Sequence, residues 1–362
     1  MDAMKKTLKV GLIGLGGICR SSHMPGFDLI KDLEIAAICD IKPEKIASFK
    51  EKFDLPDVPA FTDYHDLLAV EGLDFVDICT PNKMHSIIAV DALERGLHVF
   101  CEKPDAISVS EIERMKAAAE KADRHLMVMR NNRYRKSTQY LKQLITEGKM
   151  GDIYCGRCGW IRRRGIPGKG GWFTTKELSG GGPLIDLGVH MIDLAIWLMG
   201  NPTPVAVSGC TYCKFADSDA SDSVHAAFGE KAADGRFDVE DLAMGFIRFD
   251  NGACLQIEFS WASNVEQEKM FVELRGTKAG TSFCDNMETE TTKVFTETDG
   301  VLEDVLPKIG KTRLIHGRNL KHFTDVLRGE AEPDYVPQQG VDMIKILDAI
   351  YRSAECGHEI RL

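Results

Sequence analysis

Val10-Gly11-Leu12-Ile13-Gly14-Leu15-Gly16-Gly17-Ile18-Cys19 is the stretch on which the fold of this chain turns. The apolar run Leu8–Ile13 leads into it, and a helical pattern follows. The spacing is G-x-G-x-x-[small], with Cys19 where a third Gly or Ala is usual. Gly14 permits a tight turn, and Gly16 lets the backbone approach a pyrophosphate at a helix N-terminus. Gly17 and Ile18 continue the turn and complete the expected cofactor contacts there. Asp40 ends the next strand, 24 residues after Gly16 and close to the ~20 expected of an acid that binds the adenosine ribose. A carboxylate there accepts from both ribose hydroxyls and repels a 2′-phosphate. NAD is therefore favoured over NADP, which Lys42 leaves open.

Outward from this turn, short apolar runs alternate with amphipathic ones as far as residue 130. Strands are expected at Leu8–Ile13, Glu34–Cys39, Phe75–Cys79, His98–Cys101 and Leu126–Met129, and helices at Pro43–Phe53, Lys83–Arg95 and Val109–Asp123. Strands apolar on both faces and alternating with helices imply a doubly wound parallel sheet of the Rossmann type. Beyond residue 130 strands predominate, with Asp250-Asn251-Gly252 a strong hairpin turn. The fold class is therefore α/β. Residues 1–130 form a dinucleotide-binding domain, and residues 131–362 an α+β domain with an open, mainly antiparallel sheet, for substrate binding and oligomerisation. The polar stretch Ala216–Asp238 reads as an exposed excursion.

The 362 residues carry 45 Lys+Arg and 55 Asp+Glu, a formal net charge of −10. That balance lacks the basic footprint of a general nucleic-acid binder. The 11 cysteines are odd in number and scattered, unlike a secreted disulfide framework. Lys5, Lys6 and Lys9 ahead of an apolar run mimic a signal peptide, but the run is broken by glycines and Arg20 follows without a cleavage site. No uninterrupted apolar stretch approaches the ~20 residues of a membrane span. A cytoplasmic protein without membrane or nucleic-acid partners is expected.

Two further segments carry chemistry. Cys101-Glu102-Lys103-Pro104 follows a buried strand, so Lys103 emerges at a strand's C-terminal end, where open α/β sheets bind ligands. Gly180-Gly181-Gly182-Pro183-Leu184-Ile185-Asp186-Leu187-Gly188-Val189-His190-Met191-Ile192-Asp193 opens a helix spanning about Pro183–Met199. Spacings of i+4 and i+3 place Asp186, His190 and Asp193 on one side of it. Oxidising a secondary alcohol removes a proton and a hydride from one carbinol group. His190 suits the general base, Lys103 the stabiliser of developing alkoxide charge, and Asp186 the group that orients the histidine or holds a neighbouring hydroxyl.

Together with Thr80-Pro81-Asn82 and His85, these motifs resemble the Gfo/Idh/MocA family of nicotinamide-dependent oxidoreductases over nearly the whole chain. The resemblance implies the same catalytic roles for Lys103, Asp186 and His190. It implies that Thr80, Pro81, Asn82, His85, Glu102 and Lys103 line the NAD site, with Glu102 alternatively only positioning the turn. It points Asn131, Arg133 and Tyr134 toward the substrate, a sugar, sugar acid or cyclitol bound in a cleft between the domains. It also implies a homodimer or homotetramer, associated through the face of the second sheet.

In the loop after Trp160, Arg164 could bind a carboxylate and Trp172 could offer a face to a sugar ring, which suggests an acidic or heavily hydroxylated sugar. A solvated basic loop explains the same residues. Cys155-x-x-Cys158 and Cys210-x-x-Cys213 invite a zinc reading, but in strands i and i+3 point to opposite faces, so no metal is expected. Two other functions use the same scaffold: a glycosidase or lyase that works by transient oxidation, and a non-catalytic dinucleotide-binding sensor.

Overall fold

The computed structural model describes residues 7–362, so Lys5 and Lys6 lie outside the described residues. The chain forms two compact units. One comprises the residues up to Asn131 together with Leu314–Val341, and the other Asn132–Arg313 with Asp342–Leu362.

The first unit holds a six-stranded sheet: β1 (Leu8–Ile13), β2 (Leu33–Cys39), β3 (Ala60–Phe61), β4 (Phe75–Ile78), β5 (His98–Cys101) and β6 (Leu126–Val128). All pairings are parallel, in the order β3-β2-β1-β4-β5-β6, so the Rossmann expectation stands. The order reverses at β1, and the C-terminal ends of β1 and β4 bracket the switch point where such sheets take ligands. Helices at Pro43–Phe53, Lys83–Glu94 and Val109–Ala122 cover it. Ser108 caps the last of these, accepting from the Glu111 N–H at 3.4 Å.

The second unit holds β7 (Ile153–Ile161), β8 (Pro204–Tyr212), β9 (Leu242–Phe249), β10 (Cys254–Ser260), β11 (Lys269–Gly276), β12 (Ala279–Asp285), β13 (Glu290–Thr298), β14 (Val301–Val305) and β15 (Ile360–Arg361). Their order is β14-β13-β12-β11-β7-β10-β9-β8-β15. Only β7 and β10 pair in parallel; the other neighbours are antiparallel. The Asp250-Asn251-Gly252 turn joins β9 to β10 with Gly252 at φ +83°. The stretch Lys176–Leu198 is long and apolar enough to cross a membrane, but 83% of its most apolar window is buried inside this unit, as befits a core helix. Cys158 is buried and Cys155 only half-buried, because they face opposite sides of β7. Ala216–Asp238 is mostly exposed, as expected, and is pinned to the loop after β7. Asp222 N–H donates to Arg164 O at 3.2 Å, Ala232 N–H to Lys169 O at 3.0 Å and Asp238 N–H to Thr174 O at 3.1 Å.

The division at 131–362 needs correction, since Leu314–Val341 packs into the first unit. Its helix Ile315–Leu327 brings Phe323 edge-on to Phe75 at 5.4 Å and against Phe100 at 5.3 Å. Asn319 Oδ1 accepts the Arg130 N–H at 2.6 Å. The helix crosses Met24–Phe27 so closely that a Cβ on Gly26 would collide with the Cα of Gly317. Gly26→Ala is therefore expected to lower stability by about 1–3 kcal/mol, the usual effect of overpacking, measured by denaturant or thermal unfolding.

Candidate active site

In the first unit, the glycine turn is shaped by what lies beneath it. Gly14 has φ +93°, and a Cβ there would stand 2.7 Å from the carbonyl of Cys79. Only glycine serves both the angle and the approach. Above Gly16 and Gly17, by contrast, nothing lies within 4 Å of where a Cβ would stand. Asp40 closes the turn from the end of β2, its Oδ2 accepting the Leu15 N–H at 2.9 Å and its Oδ1 the Lys42 N–H at 3.0 Å. One bond to each oxygen leaves acceptor capacity for ribose hydroxyls. At the end of β4 the Thr80 hydroxyl is buried without a partner. An open cradle, an acid beside it and an orphaned hydroxyl fit NAD.

His85, expected in the cofactor site, is fully buried and bonds to Pro104 O and Thr80 O, both at 2.9 Å. It ties the Thr80-Pro81-Asn82 turn to the turn that carries Lys103. Burial pushes its pKa down, against the pull of the two carbonyls.

Lys103 is half-buried between two buried carboxylates. Glu102 Oε2 accepts the Lys103 N–H at 3.1 Å, and its Oε1 accepts from His23 Nε2 at 2.7 Å. His23 Nδ1 donates in turn to Asp77 Oδ2 at 2.7 Å. Burial alone would lower the His23 pKa, but Asp77 and Glu102 together raise it well above 6.5, which makes the ring an imidazolium. Burial alone would raise Glu102, and the bond and charge of His23 bring it down to about 2. On the other side, Asp105 takes both oxygens to Arg130 Nη2 at 2.7 Å and accepts the Tyr335 hydroxyl at 2.7 Å. Among the described residues, the His23–Asp77–Cys79 group offers three potential metal ligands close together. The 2.7 Å spacing of His23 and Asp77 is that of a hydrogen-bonded pair, and burial keeps the Cys79 thiol protonated.

In the second unit, a π turn over Leu184–Gly188 runs into an α-helix over Val189–Leu198. Glu240 holds its start, accepting from Gly182 N–H at 2.9 Å, Leu184 N–H at 3.1 Å and the Tyr351 hydroxyl at 3.0 Å. The protein's own carboxylate thus fills the anion position of this helix N-terminus. Burial pushes the Glu240 pKa up, against those three donors. Asp186 and His190 are both half-buried on the accessible side of the helix. Asp186 Oδ2 accepts the Trp261 indole N–H at 2.9 Å, and the His190 ring lies 5.8 Å from that of Trp160.

Five expectations change. Asp193 does not share that accessible side: it is buried, with both oxygens on Arg133 at 2.9 and 2.6 Å. Arg133, expected at the substrate, is 1% exposed and committed to that pair. Arg164 is spent on neighbouring segments, donating to Arg163 O, Ser263 O and Asn264 Oδ1 at 2.7 Å each while covering Phe215. Trp172 stacks on Phe173 at 3.8 Å, and it is Trp160 that stands against His190. Asn131 belongs to the first unit, where its amide lies 3.0 Å from His316 Nε2 and its Oδ1 is buried without a partner. Sequence reasoning missed His23, whose one signal was its partner Asp77, a carboxylate inside the buried strand Phe75–Ile78.

Comparisons with known proteins agree with this architecture. A family model described as "Oxidoreductase family, NAD-binding Rossmann fold" matches residues 8–130, and the GFO/IDH/MocA C-terminal domain matches residues 138–282. D-glucoside 3-dehydrogenase of Escherichia coli is 32% identical over 356 residues, 98% of this chain and 97% of that protein. Myo-inositol 2-dehydrogenase of Thermotoga maritima is 28% identical over 81% of this chain and 79% of its own. A structure of levoglucosan dehydrogenase with NADH superposes with a TM-score of 0.83 at 23% identity, over 98% of each chain.

The buried imidazolium can be tested directly. A group whose pKa is raised on folding stabilises the fold fully below its unfolded value near 6.5, and that contribution is lost as pH rises through the folded value. Nitrogen-15 NMR at pH 7.5 is expected to show the His23 ring doubly protonated, and Glu102→Gln to lower its pKa by about one unit or more.

Proposed function

The chain belongs to the Gfo/Idh/MocA family of oxidoreductases and carries an NAD-binding Rossmann domain, and from that premise we propose that it oxidises a ring hydroxyl of a sugar, sugar acid or cyclitol with NAD. Two observations carry this reading: in the first unit a lysine framed by buried carboxylates, and in the second a half-buried aspartate and histidine on one helix side. Curated relatives named for glucosides and inositol support a polyhydroxylated ring as substrate.

NAD, when bound, supplies the two-electron acceptor. Asp40 would accept from the ribose hydroxyls, the Gly16–Gly17 backbone would hold the pyrophosphate, and the Thr80 hydroxyl would find its partner in the cofactor. Lys103 donates a hydrogen bond to the substrate oxygen and stabilises its negative charge as the proton leaves. His190 removes that proton as general base, and Asp186, itself held by Trp261, orients the imidazole. The eleven free thiols suit the reducing conditions of the cytoplasm, and we place the protein there as a homodimer or homotetramer.

The test is NADH absorbance on a panel of sugars, sugar acids and cyclitols with each nicotinamide cofactor. His190→Asn is expected to lower kcat by about 10²–10⁴ while NADH binding persists. Sugar release without net NADH would replace net oxidation with the transient-oxidation chemistry.

A further inference from the structure

Trp160 stands between two histidines of the second unit. Its ring is 5.8 Å from His190 on one side and 5.5 Å from His225, edge-on, on the other. His225 lies in the short helix Val224–Ala227, within the segment that sequence reading treated as exposed. Its Nε2 faces Glu268 Oε1 at 3.4 Å, with Met287 Sδ at 3.5 Å. Glu268 is held from other directions by the Trp160 indole N–H at 3.1 Å and the Ser223 hydroxyl at 2.7 Å. The third member is Arg162, 4% exposed, which covers the Trp160 ring at 5.0 Å and pairs with Glu268 at 3.4 Å.

These contacts set the protonation state of His225. Burial, then the nearby Arg162, lower its pKa, against the pull of Glu268 and Asp186, so the ring is neutral near pH 7. A neutral ring beside a carboxylate places its one proton on the nitrogen that faces the carboxylate. Nε2 therefore carries the proton, facing Glu268 Oε1 and Met287 Sδ, and Nδ1 is left as an acceptor. No partner to Nδ1 occurs among the described residues, and the side chain is 21% exposed. Asp186, the orienting residue of the proposed mechanism, is close enough to act electrostatically on both His225 and Arg162.

We propose that His225 is a specificity-determining residue: its Nδ1 accepts a hydrogen bond from a hydroxyl of an uncharged sugar ring held against Trp160 beside His190. This rests on the sugar-oxidising reading and narrows it. A sugar carboxylate at that position has no proton to give and meets the charges of Glu268 and Asp186. The buried cation Arg162 is already paired, and Arg164 is committed to Ser263 and Asn264. The site thus selects a hydroxyl over a carboxylate by leaving the wrong group unpaired.

The test compares methyl α-D-glucopyranoside with the corresponding uronate, which differs by one carboxylate, using full-length protein and NAD. Wild type is expected to favour the neutral glycoside. His225→Ala is expected to raise its KM about tenfold with kcat little changed, and His225→Gln, which keeps an acceptor, to recover part of the loss. His225→Lys is expected to shift preference toward the uronate. Unaltered NADH binding and melting temperature verify that the variants are folded. An unchanged KM in His225→Ala, or equal use of both sugars by wild type, overturns this assignment alone. Failure of wild type to oxidise any sugar in the panel overturns the sugar-oxidising reading and this assignment with it.

Discussion

Glu102 and Asp105 bracket Lys103, and neither carboxylate can be buried without a cation to face it. Burying a charge costs several kcal/mol unless it is paired and hydrogen-bonded. Here the partners are the His23 imidazolium and the Arg130 guanidinium, both themselves buried. Each reaches across a different part of the first unit: His23 from the helix after the glycine turn, Arg130 from the chain following β6. The lysine turn is thereby tied to the cofactor turn at one end and, through Tyr335, to the returning C-terminal segment at the other. Such pairs are weak evidence for net stability, but breaking one is costly, so they hold geometry.

The second unit solves the same problem with hydrogen bonds. Glu240 sits where the N–H groups opening the helix of Asp186 and His190 would otherwise lack acceptors, and Tyr351 supplies a further donor. Arg133 and Asp193 fix the helix further along, from a face closed to solvent. What remains open on the helix is the side bearing Asp186 and His190. Framing at its start and on its closed face leaves Asp186 and His190 on the accessible side of a helix held elsewhere, which is what a preorganised site requires.

Much of this was legible in the residues. The glycine turn, Asp40, five of the six strands of the first sheet and the two sequence motifs follow from short-range rules of turn geometry, alternation and helix spacing, whereas the two-residue β3 is too short for alternation to mark. The errors share a cause. Arg164 looks available because its neighbours in sequence are polar and glycine-rich, yet Ser263, far along the chain, takes its guanidinium. Arg133 was judged by its position after β6, whereas its partner Asp193 lies 60 residues on. Leu314–Val341 carries no motif, and only the fit of Gly26 on Gly317 and of Phe323 on Phe75 and Phe100 shows where it belongs.

By itself, then, the sequence determined the local features: which turn is tight and glycine-rich, which strand ends in an acid, which lysine follows a strand, and which aspartate and histidine share a helix side. Those depend on residues within a few positions of one another. Tertiary structure alone decided which charges neutralise which. His23 finds Asp77 and Glu102 at separations of 54 and 79 residues, and Arg162 finds Glu268 across neighbouring strands. Buried electrostatics is settled by proximity in space, because desolvation removes water as an alternative partner and leaves each charge only the groups that packing brings to it.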